Sequence, residues 1–156
     1  LSRKQVHMAE EFSKAHNVKN LVEFYQQDYT STKLKSNTFD VIWAIESVCH
    51  ADDKSRFLKE AYRLLKNNGK LIVADGFLIK KGLDLYEKEM MEKWLKGWVV
   101  PNLATPKDFK NSMELIGFKK VKFLDITKNI MPSSKRLLKF FNAEALAKVY
   151  SNLIGK

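Results

Sequence analysis

A short group of polar residues follows an apolar run near the middle of the chain. Phe39–Ala44 is apolar apart from Asp40 and rich in β-branched and aromatic residues, which favours a strand buried on both faces of a parallel sheet. Glu46, Cys49 and His50 follow it. Because ligands of open α/β sheets bind outside the carboxyl ends of the strands, this segment is a candidate reactive rim. The alternative is that Cys49 fills the core and His50 is a surface histidine.

Carboxylates recur where successive strands are predicted to end. Asp28, Glu46 and Asp75 hold these positions, and His50 lies among them. Carboxylates can accept hydrogen bonds from ribose hydroxyls or an adenine amino group, whereas a histidine titrates near neutral pH and suits general base catalysis. The alternative interpretation is that the acids are helix caps and turn residues. We find no metal-ligand spacing, no G-x-G-x-x-G and no serine nucleophile elbow in the sequence.

Strands and helices alternate in the first half, in the order that would position these residues. Strand, polar rim, helix, Gly-containing turn and strand form a βαβ crossover, so the last two strands should be parallel and adjacent. The predicted elements are a helix capped by Ser2 and running to about His16, strands over Leu21–Tyr25, Phe39–Ala44 and Leu71–Ala74, and a helix from Asp52 or Asp53 through Lys66, ended by Asn67-Asn68-Gly69.

The second half is predicted to be mainly helical. Leu83–Trp98 carries a large apolar surface that suits either a substrate lid or core, and core is the safer assignment for each residue taken singly. Thr105-Pro106 is a helix start, and Gly117 ends that helix. A strand over Val121–Ile126 and an amphipathic helix over Ser133–Leu153 complete the prediction.

Composition restricts the class of protein. The 156 residues, 45% of them hydrophobic, suffice for one buried domain, and no signal peptide or spanning segment is visible. The single cysteine fits a reducing, cytoplasmic setting. The net charge is +10, but only four of the 28 basic residues are Arg. Since recognition of bases and phosphates usually depends on Arg, a solvated lysine-rich surface is favoured over a nucleic-acid partner.

The segment FDVIWAIESVCHADDKSRFLKEAYRLLKNNGKLIVAD resembles the central portion of class I S-adenosylmethionine-dependent methyltransferases. Its pattern W-A-I-E-S-x-x-H, followed by E-x-x-R-L-L-K-x-x-G and a strand ending in Asp, is most similar to the branch of tocopherol, sterol, phosphoethanolamine and sugar O-methyltransferases. The resemblance covers about residues 1–127. It implies an α/β fold with a Rossmann-like sheet, flanking helices and helical lid elements.

The resemblance also implies a role for individual residues. Leu1, Ser2 and Gln5 would lie beside the ribose and adenine of S-adenosylmethionine. Asp28 would accept from the adenine amino group, with the backbone of Tyr29 nearby. The methionine and sulfonium side would be lined by Ala44, Ile45 and Glu46. The general base of an O- or N-methylating enzyme would be His50, supported by Asp75.

Two parts of the family pattern have no counterpart in the sequence: the glycine-rich first turn and the acidic residue that ends the second strand. A truncated chain is therefore expected, with first and last strands missing and with little cofactor binding or activity of its own. Within one methyltransferase domain, residues 1–81 and 117–127 would form core, and 82–116 and 128–156 lid and substrate helices.

The predicted function is methyl transfer from S-adenosylmethionine to an oxygen, nitrogen or carbon of a small organic acceptor. No nucleic-acid partner and no stable membrane insertion are expected. The alternative is a non-catalytic basic α/β module whose lysine-rich second half binds an anionic partner.

Overall fold

The described part of the chain forms several helices and a pair of parallel strands. The computed structural model describes residues 2–79, 82–137 and 139–140. Its elements in chain order are helix α1 (Arg3–Ala15), a 3₁₀ turn (Lys19–Leu21), strand β1 (Phe39–Ile45), a second 3₁₀ turn (Val48–His50), helix α2 (Lys54–Leu64), strand β2 (Leu65–Ala74), helix α3 (Leu85–Trp98) and helix α4 (Pro106–Ile116).

The chain divides into two compact units, Leu1–Val121 and Lys122–Lys156. All elements named above lie in the first unit. In the second, residues 127–137 are helical, so the helix predicted over Ser133–Leu153 begins earlier than expected. The rest of that predicted helix, from residue 141 onward, lies outside the described residues, as does Leu1. No helix in the described ranges combines the length and apolarity needed to cross a bilayer.

Strands β1 and β2 pair in parallel, which confirms the predicted crossover. Ile42 pairs with Leu71, and Ala44 pairs with Val73. The register shifts near the start of the strands, where residues 66–69 of β2 bulge opposite Asp40. Asn68 adopts a left-handed φ of 65° in this bulge. Helix α2 therefore ends two residues before the predicted Lys66, and the turn expected to close it lies within β2.

One face of this strand pair carries the core. Paired residues of neighbouring strands share a face, so Ile42, Ala44 and Val73 point to the same side as Leu71. Helices α2 and α4 supply most of the packing partners on that side. The buried cluster consists of Ala44, Val48, Phe57, Leu58, Ala61 and Phe109.

The opposite face of the pair is exposed, so the prediction of burial on both faces is wrong for the described residues. Trp43 is 75% exposed, and Ile45 is 58% exposed. Their neighbour on β2, Ile72, is 54% exposed. An apolar run indicates only that both faces of a strand are suited to burial. Each face is buried only if another layer of secondary structure packs against it.

Two other predicted strands are absent from the described part of the chain. Leu21 ends a 3₁₀ turn, and residues 22–26 have no regular structure. Residues 121–126 are likewise irregular. Alternating apolar residues are compatible with a strand, but a strand forms only where a neighbouring strand satisfies its backbone hydrogen bonds.

The helix ends follow the sequence closely. The Ser2 hydroxyl accepts from the Gln5 amide, and α3 begins with a complete capping box between Asp84 and Glu87, two residues after the predicted start at Leu83. Thr105 caps α4 as predicted, and Gly117 closes that helix at a φ of 119°. The core assignment for α3 is wrong: Tyr86 and Trp98, for example, are 70% and 57% exposed.

A partly buried ion pair between Glu60 and Arg63 connects the loop before β1 to helix α2. One carboxylate oxygen of Glu60, Oε1, accepts from the backbone N–H and the hydroxyl of Thr32 at 2.8 and 2.5 Å and from Arg63 at 2.6 Å. Arg63 also donates to the Leu34 carbonyl at 2.9 Å. The Arg63 guanidinium lowers the pKa of Glu60 to about 2, because its hydrogen bonds stabilise the charged carboxylate.

We expect Glu60→Gln to lower the free energy of unfolding by about 1–3 kcal/mol, because the guanidinium loses its buried charged partner. Since the folded pKa of Glu60 is depressed, its contribution is full above the ordinary value of 4.5 and is lost as the pH falls toward about 2. Urea denaturation from pH 7 to pH 2 would measure both effects. The matched control is Glu11→Gln, an exposed partner of Lys14. If both variants lost the same free energy of unfolding, the ion pair of Glu60 and Arg63 would not stabilise the fold more than an exposed pair does.

Candidate active site

The residues predicted to carry chemistry lie on a turn at the carboxyl ends of the two strands. We call residues 46–53 the rim turn. It begins with Glu46, whose N–H donates to the Ala74 carbonyl at 2.9 Å and whose φ of 47° is left-handed. A non-glycine residue in this conformation is uncommon and is found mostly where the surrounding structure enforces it. The turn then enters the short 3₁₀ segment Val48–His50, in which Val48 and Cys49 are buried.

Asp75, at the end of β2, holds the rim turn from the neighbouring strand. Its Oδ2 accepts from the backbone N–H groups of Ser47 at 3.1 Å and Cys49 at 3.0 Å. Its Oδ1 accepts from the N–H of Gly76 at 2.8 Å. An ionised carboxylate is a strong acceptor for such donors, so a single side chain fixes the start of the turn.

His50 lies at the end of this 3₁₀ segment with its ring exposed, and its Nδ1 is 3.2 Å from the Val99 carbonyl oxygen. A carbonyl oxygen can only accept, so this contact assigns the proton of neutral His50 to Nδ1. Nε2 then carries the lone pair, as a general base requires. In the part of the chain that is described, Asp75 makes no hydrogen bond to His50. Asp75 instead contacts the backbone on the N-terminal side of His50, at Ser47 and Cys49, and its support of His50 stays a prediction.

The acceptor of His50 is itself fixed at the end of α3. Val99 caps this helix with a left-handed φ of 54°, which is unusual for a β-branched residue. Its N–H donates to the Lys96 carbonyl, and the N–H of Val100 donates to the Leu95 carbonyl at 2.9 Å. The side chain of Val100 is buried. These bonds keep the Val99 carbonyl beside the rim turn.

Lys54, which was not among the predicted site residues, joins the same two segments. Its ammonium donates to the carbonyls of Cys49 at 2.9 Å, Ala51 at 2.6 Å and Asn102 at 2.9 Å. Burial lowers its pKa. One sequence signal was present: Lys54 is the first residue of α2, directly after the cap Asp53, where a cation opposes the helix dipole.

Two further side chains complete the surroundings of the turn. The Tyr29 hydroxyl donates to the Ser47 carbonyl at 2.9 Å, and its ring packs edge-on against Phe57. Burial raises the pKa of Tyr29. Burial and the hydrogen bond with Asp75 raise the pKa of the Cys49 thiol to about 11. A thiol with that pKa stays protonated near neutral pH and is not a nucleophile.

The predicted cofactor residues fall into separate groups. Ser2 and Gln5 line an open cleft of about 280 Å³ together with Val6, Ala9, Phe24, Tyr25 and Gln26. Asp28 does not line this cleft: its Oδ1 accepts from the N–H and hydroxyl of Thr30, which lowers its pKa.

Three predicted residues lie at the end of β1. Ile45 and Glu46 have exposed side chains, but that of Ala44 packs in the core, where it is 8% exposed. Ala44 therefore offers a ligand no more than its backbone. Of the predicted site residues, Glu46 and His50 therefore belong to the rim turn, and Tyr29 and Asp75 form hydrogen bonds to it.

Sequence comparison relates this chain to known enzymes. The family model described as a methyltransferase domain matches residues 1–73. The chain is 32% identical over 98 residues to 2-methyl-6-phytyl-1,4-hydroquinone methyltransferase of a Synechocystis strain, an alignment covering 61% of this chain and 31% of that protein. Tocopherol, sterol and sarcosine/dimethylglycine methyltransferases also match. The chain spans between 22 and 51% of the length of the first four curated relatives.

Solved structures share the fold. The [4+2]-cyclase SpnF matches with a TM-score of 0.68 and 23% identity, over 81% of this chain and 44% of that one. Phosphoethanolamine N-methyltransferase 2 of Haemonchus contortus, in complex with S-adenosyl-L-methionine, matches with a TM-score of 0.61 and 19% identity, over 80% and 29% of the two chains. At such identities the likeness establishes the Rossmann-like fold, and a fold alone does not determine an activity.

The methyltransferase-domain match over residues 1–73 and the shared fold both agree with the predicted resemblance. The chain is thus similar in sequence to methyltransferases and shares the Rossmann-like fold of class I S-adenosylmethionine-dependent methyltransferases.

Proposed function

We propose that the chain belongs to an enzyme that transfers a methyl group from S-adenosylmethionine to an oxygen, nitrogen or carbon of a small organic acceptor. The match of residues 1–73 to a methyltransferase domain supports methyl transfer. The names of the relatives support a small-molecule acceptor, since they include a hydroquinone, tocopherol and sterol. Division of the domain into core residues 1–81 and 117–127 and lid residues 82–116 and 128–156 is part of the same proposal.

The residues of the open cleft fit part of the cofactor. Ser2, Gln5 and Gln26 offer hydrogen-bond partners to a nucleoside, and the rings of Phe24 and Tyr25 offer apolar faces. On this proposal Asp28 and the backbone of Tyr29 hold the adenine amino edge, and residues 44–46 line the methionine side. When bound, S-adenosylmethionine supplies an electrophilic methyl carbon on its sulfonium sulfur.

The observation that carries the proposed mechanism is the contact between His50 Nδ1 and the Val99 carbonyl. It leaves Nε2 free to take the proton of an oxygen or nitrogen acceptor, and the carbonyl stabilises the imidazolium that results. The rim turn and Asp75 set the direction of the ring. For a carbon acceptor, His50 would have no such proton to remove before methylation.

The exposed side chains of helix α3 suggest that the acceptor is largely apolar. Tyr86, Met90, Trp94 and Trp98 recur every four residues, and all four side chains are exposed. Residues at this spacing lie on one side of a helix. Because α3 ends at Val99, beside His50, this stripe is suited to hold the apolar part of an acceptor near the base.

Replacement of His50 by alanine tests the mechanism. In the full-length protein His50→Ala should lower kcat by about a hundredfold or more, the usual contribution of a general base, and should leave the affinity for S-adenosylhomocysteine unchanged. Rapid-quench single-turnover measurements and calorimetric titration would give these values.

The matched control is His16→Ala, because His16 also places Nδ1 near a backbone carbonyl, that of Phe12 at 2.9 Å. This control should keep full activity. A normal single-turnover rate in His50→Ala, with only a lowered melting temperature, would remove His50 from the role of base.

Asp75→Asn should weaken the rim turn. An amide keeps one acceptor oxygen but turns its NH₂ toward a backbone N–H, so the three hydrogen bonds of Asp75 cannot all persist. We expect a loss of about 1–3 kcal/mol in stability and a smaller fall in kcat than for His50→Ala. Denaturation and steady-state kinetics on the same samples would measure both. Full activity and stability would exclude Asp75 as the organiser of the turn.

Glu46→Gly separates cofactor binding from folding. Glycine tolerates the left-handed φ of 47°, so stability should be kept or rise slightly, whereas the carboxylate proposed to face the sulfonium is lost. Titration should show weaker binding of S-adenosylmethionine, whose sulfonium is positively charged, and a smaller effect on S-adenosylhomocysteine, which has a neutral thioether in its place. If Glu46→Gly left the affinity for each ligand unchanged, this placement of the carboxylate would be contradicted. If the parent protein bound neither ligand but bound a polyanion with steep salt dependence, the non-catalytic basic module would be supported instead.

A further inference from the structure

Lys54 is an unusual residue for its position. The first turn of a helix favours acidic side chains, because the helix dipole is positive there, and Lys54 is the first residue of α2. Its pKa is lowered by burial, so folding has placed a cation where both the dipole and desolvation act against it. A residue held at such a cost is expected to make contacts that offset it.

The contacts of Lys54 use all of its hydrogen-bonding capacity. An ammonium has three donors, and three carbonyls lie within 2.6–2.9 Å of this one. The carbonyls of Cys49 and Ala51 flank His50 in the sequence. The third carbonyl belongs to Asn102, three residues beyond Val99. One cation therefore connects the segment that carries the His50 ring with the segment that carries its acceptor.

A further hydrogen bond joins the same two segments. The side-chain amide of Asn102 donates to the Asp52 carbonyl at 2.9 Å, again between the rim turn and the segment after α3. Without these bonds, the remaining hydrogen bond between the two segments among the described residues would be the His50–Val99 contact, which at 3.2 Å is the longest of the group. A long contact of an exposed ring is easily lost to water unless its two ends are held together.

We propose that Lys54 is a positioning residue that keeps His50 in the Nδ1–H tautomer by clamping the rim turn to residues 99–102. The proposal rests on the proposed function for its effect on catalysis, but its effect on the ring does not. A histidine ring released to water favours the Nε2–H form, in which the nitrogen needed as a base carries the proton. Lys54 thus acts on the chemistry through another residue and touches no reacting atom.

The test is Lys54→Met in the full-length protein, which keeps an apolar stem of similar length and removes the three bonds. Nitrogen-15 spectra of the histidine rings above their pKa should show His50 as Nδ1–H in the parent protein and as mainly Nε2–H in the variant. His16 provides an internal reference, because its own carbonyl contact within α1 is untouched. Lys59→Met, an exposed residue of the same helix, is the matched control.

In turnover, Lys54→Met should lower kcat by about ten- to a hundredfold, the scale of a misplaced catalytic group, without changing the affinity for S-adenosylhomocysteine. Asn102→Ala, which removes no charge, should shift the tautomer and kcat in the same direction by less. It provides the test if Lys54→Met does not fold. An unchanged His50 tautomer in a folded variant would overturn the proposal. A shifted tautomer with normal kcat would support the clamp and would count against His50 as the base.

Discussion

The parallel pairing of β1 with β2 is the constraint on which the candidate site depends. It brings the carboxyl ends of both strands to one edge, so Asp75 at the end of β2 reaches the backbone of the turn that follows β1. Two N–H groups of that turn would otherwise lack acceptors at a partly buried position. The carboxylate satisfies them, and the direction of His50 follows from the turn that results.

Backbone carbonyls are the direct partners of Lys54 and His50 at this edge. Lys54 binds three of them, and His50 faces a fourth. On the proposed function, the carbonyl accepts the hydrogen bond of Nδ1–H and leaves Nε2 with the lone pair that a base needs.

The exposed apolar surfaces belong to the same picture. Trp43, Ile45 and Ile72 form one face of the strand pair, and α3 presents Met90, Trp94 and Trp98. Such surfaces are larger than isolated apolar residues at a protein surface and usually mark binding regions. On the proposed function, the stripe on α3 contacts the acceptor, and the sheet face is separate from it.

The sequence by itself determined the local features. Caps at Ser2 and Thr105, a helix start at Asp52 or Asp53, the end at Gly117, and the parallel pairing of the two strands were all predicted from short-range patterns, because each depends on residues within a few positions or on a crossover of known handedness. The family pattern around His50 was visible in the same way, as was the presence of Asp75 at a strand end.

Only the tertiary structure decided which groups meet. The acceptor of His50 is 49 residues away in the sequence, and Lys54 reaches Asn102 across 48. No periodicity reports such pairings, because they depend on where α3 ends relative to the rim turn. Burial was decided in the same way: Trp43 and Ile45 have the composition of a buried strand, yet they are exposed because no layer packs on them in the described residues. A pattern states what a residue is suited to, whereas the packing of distant segments determines what it contacts.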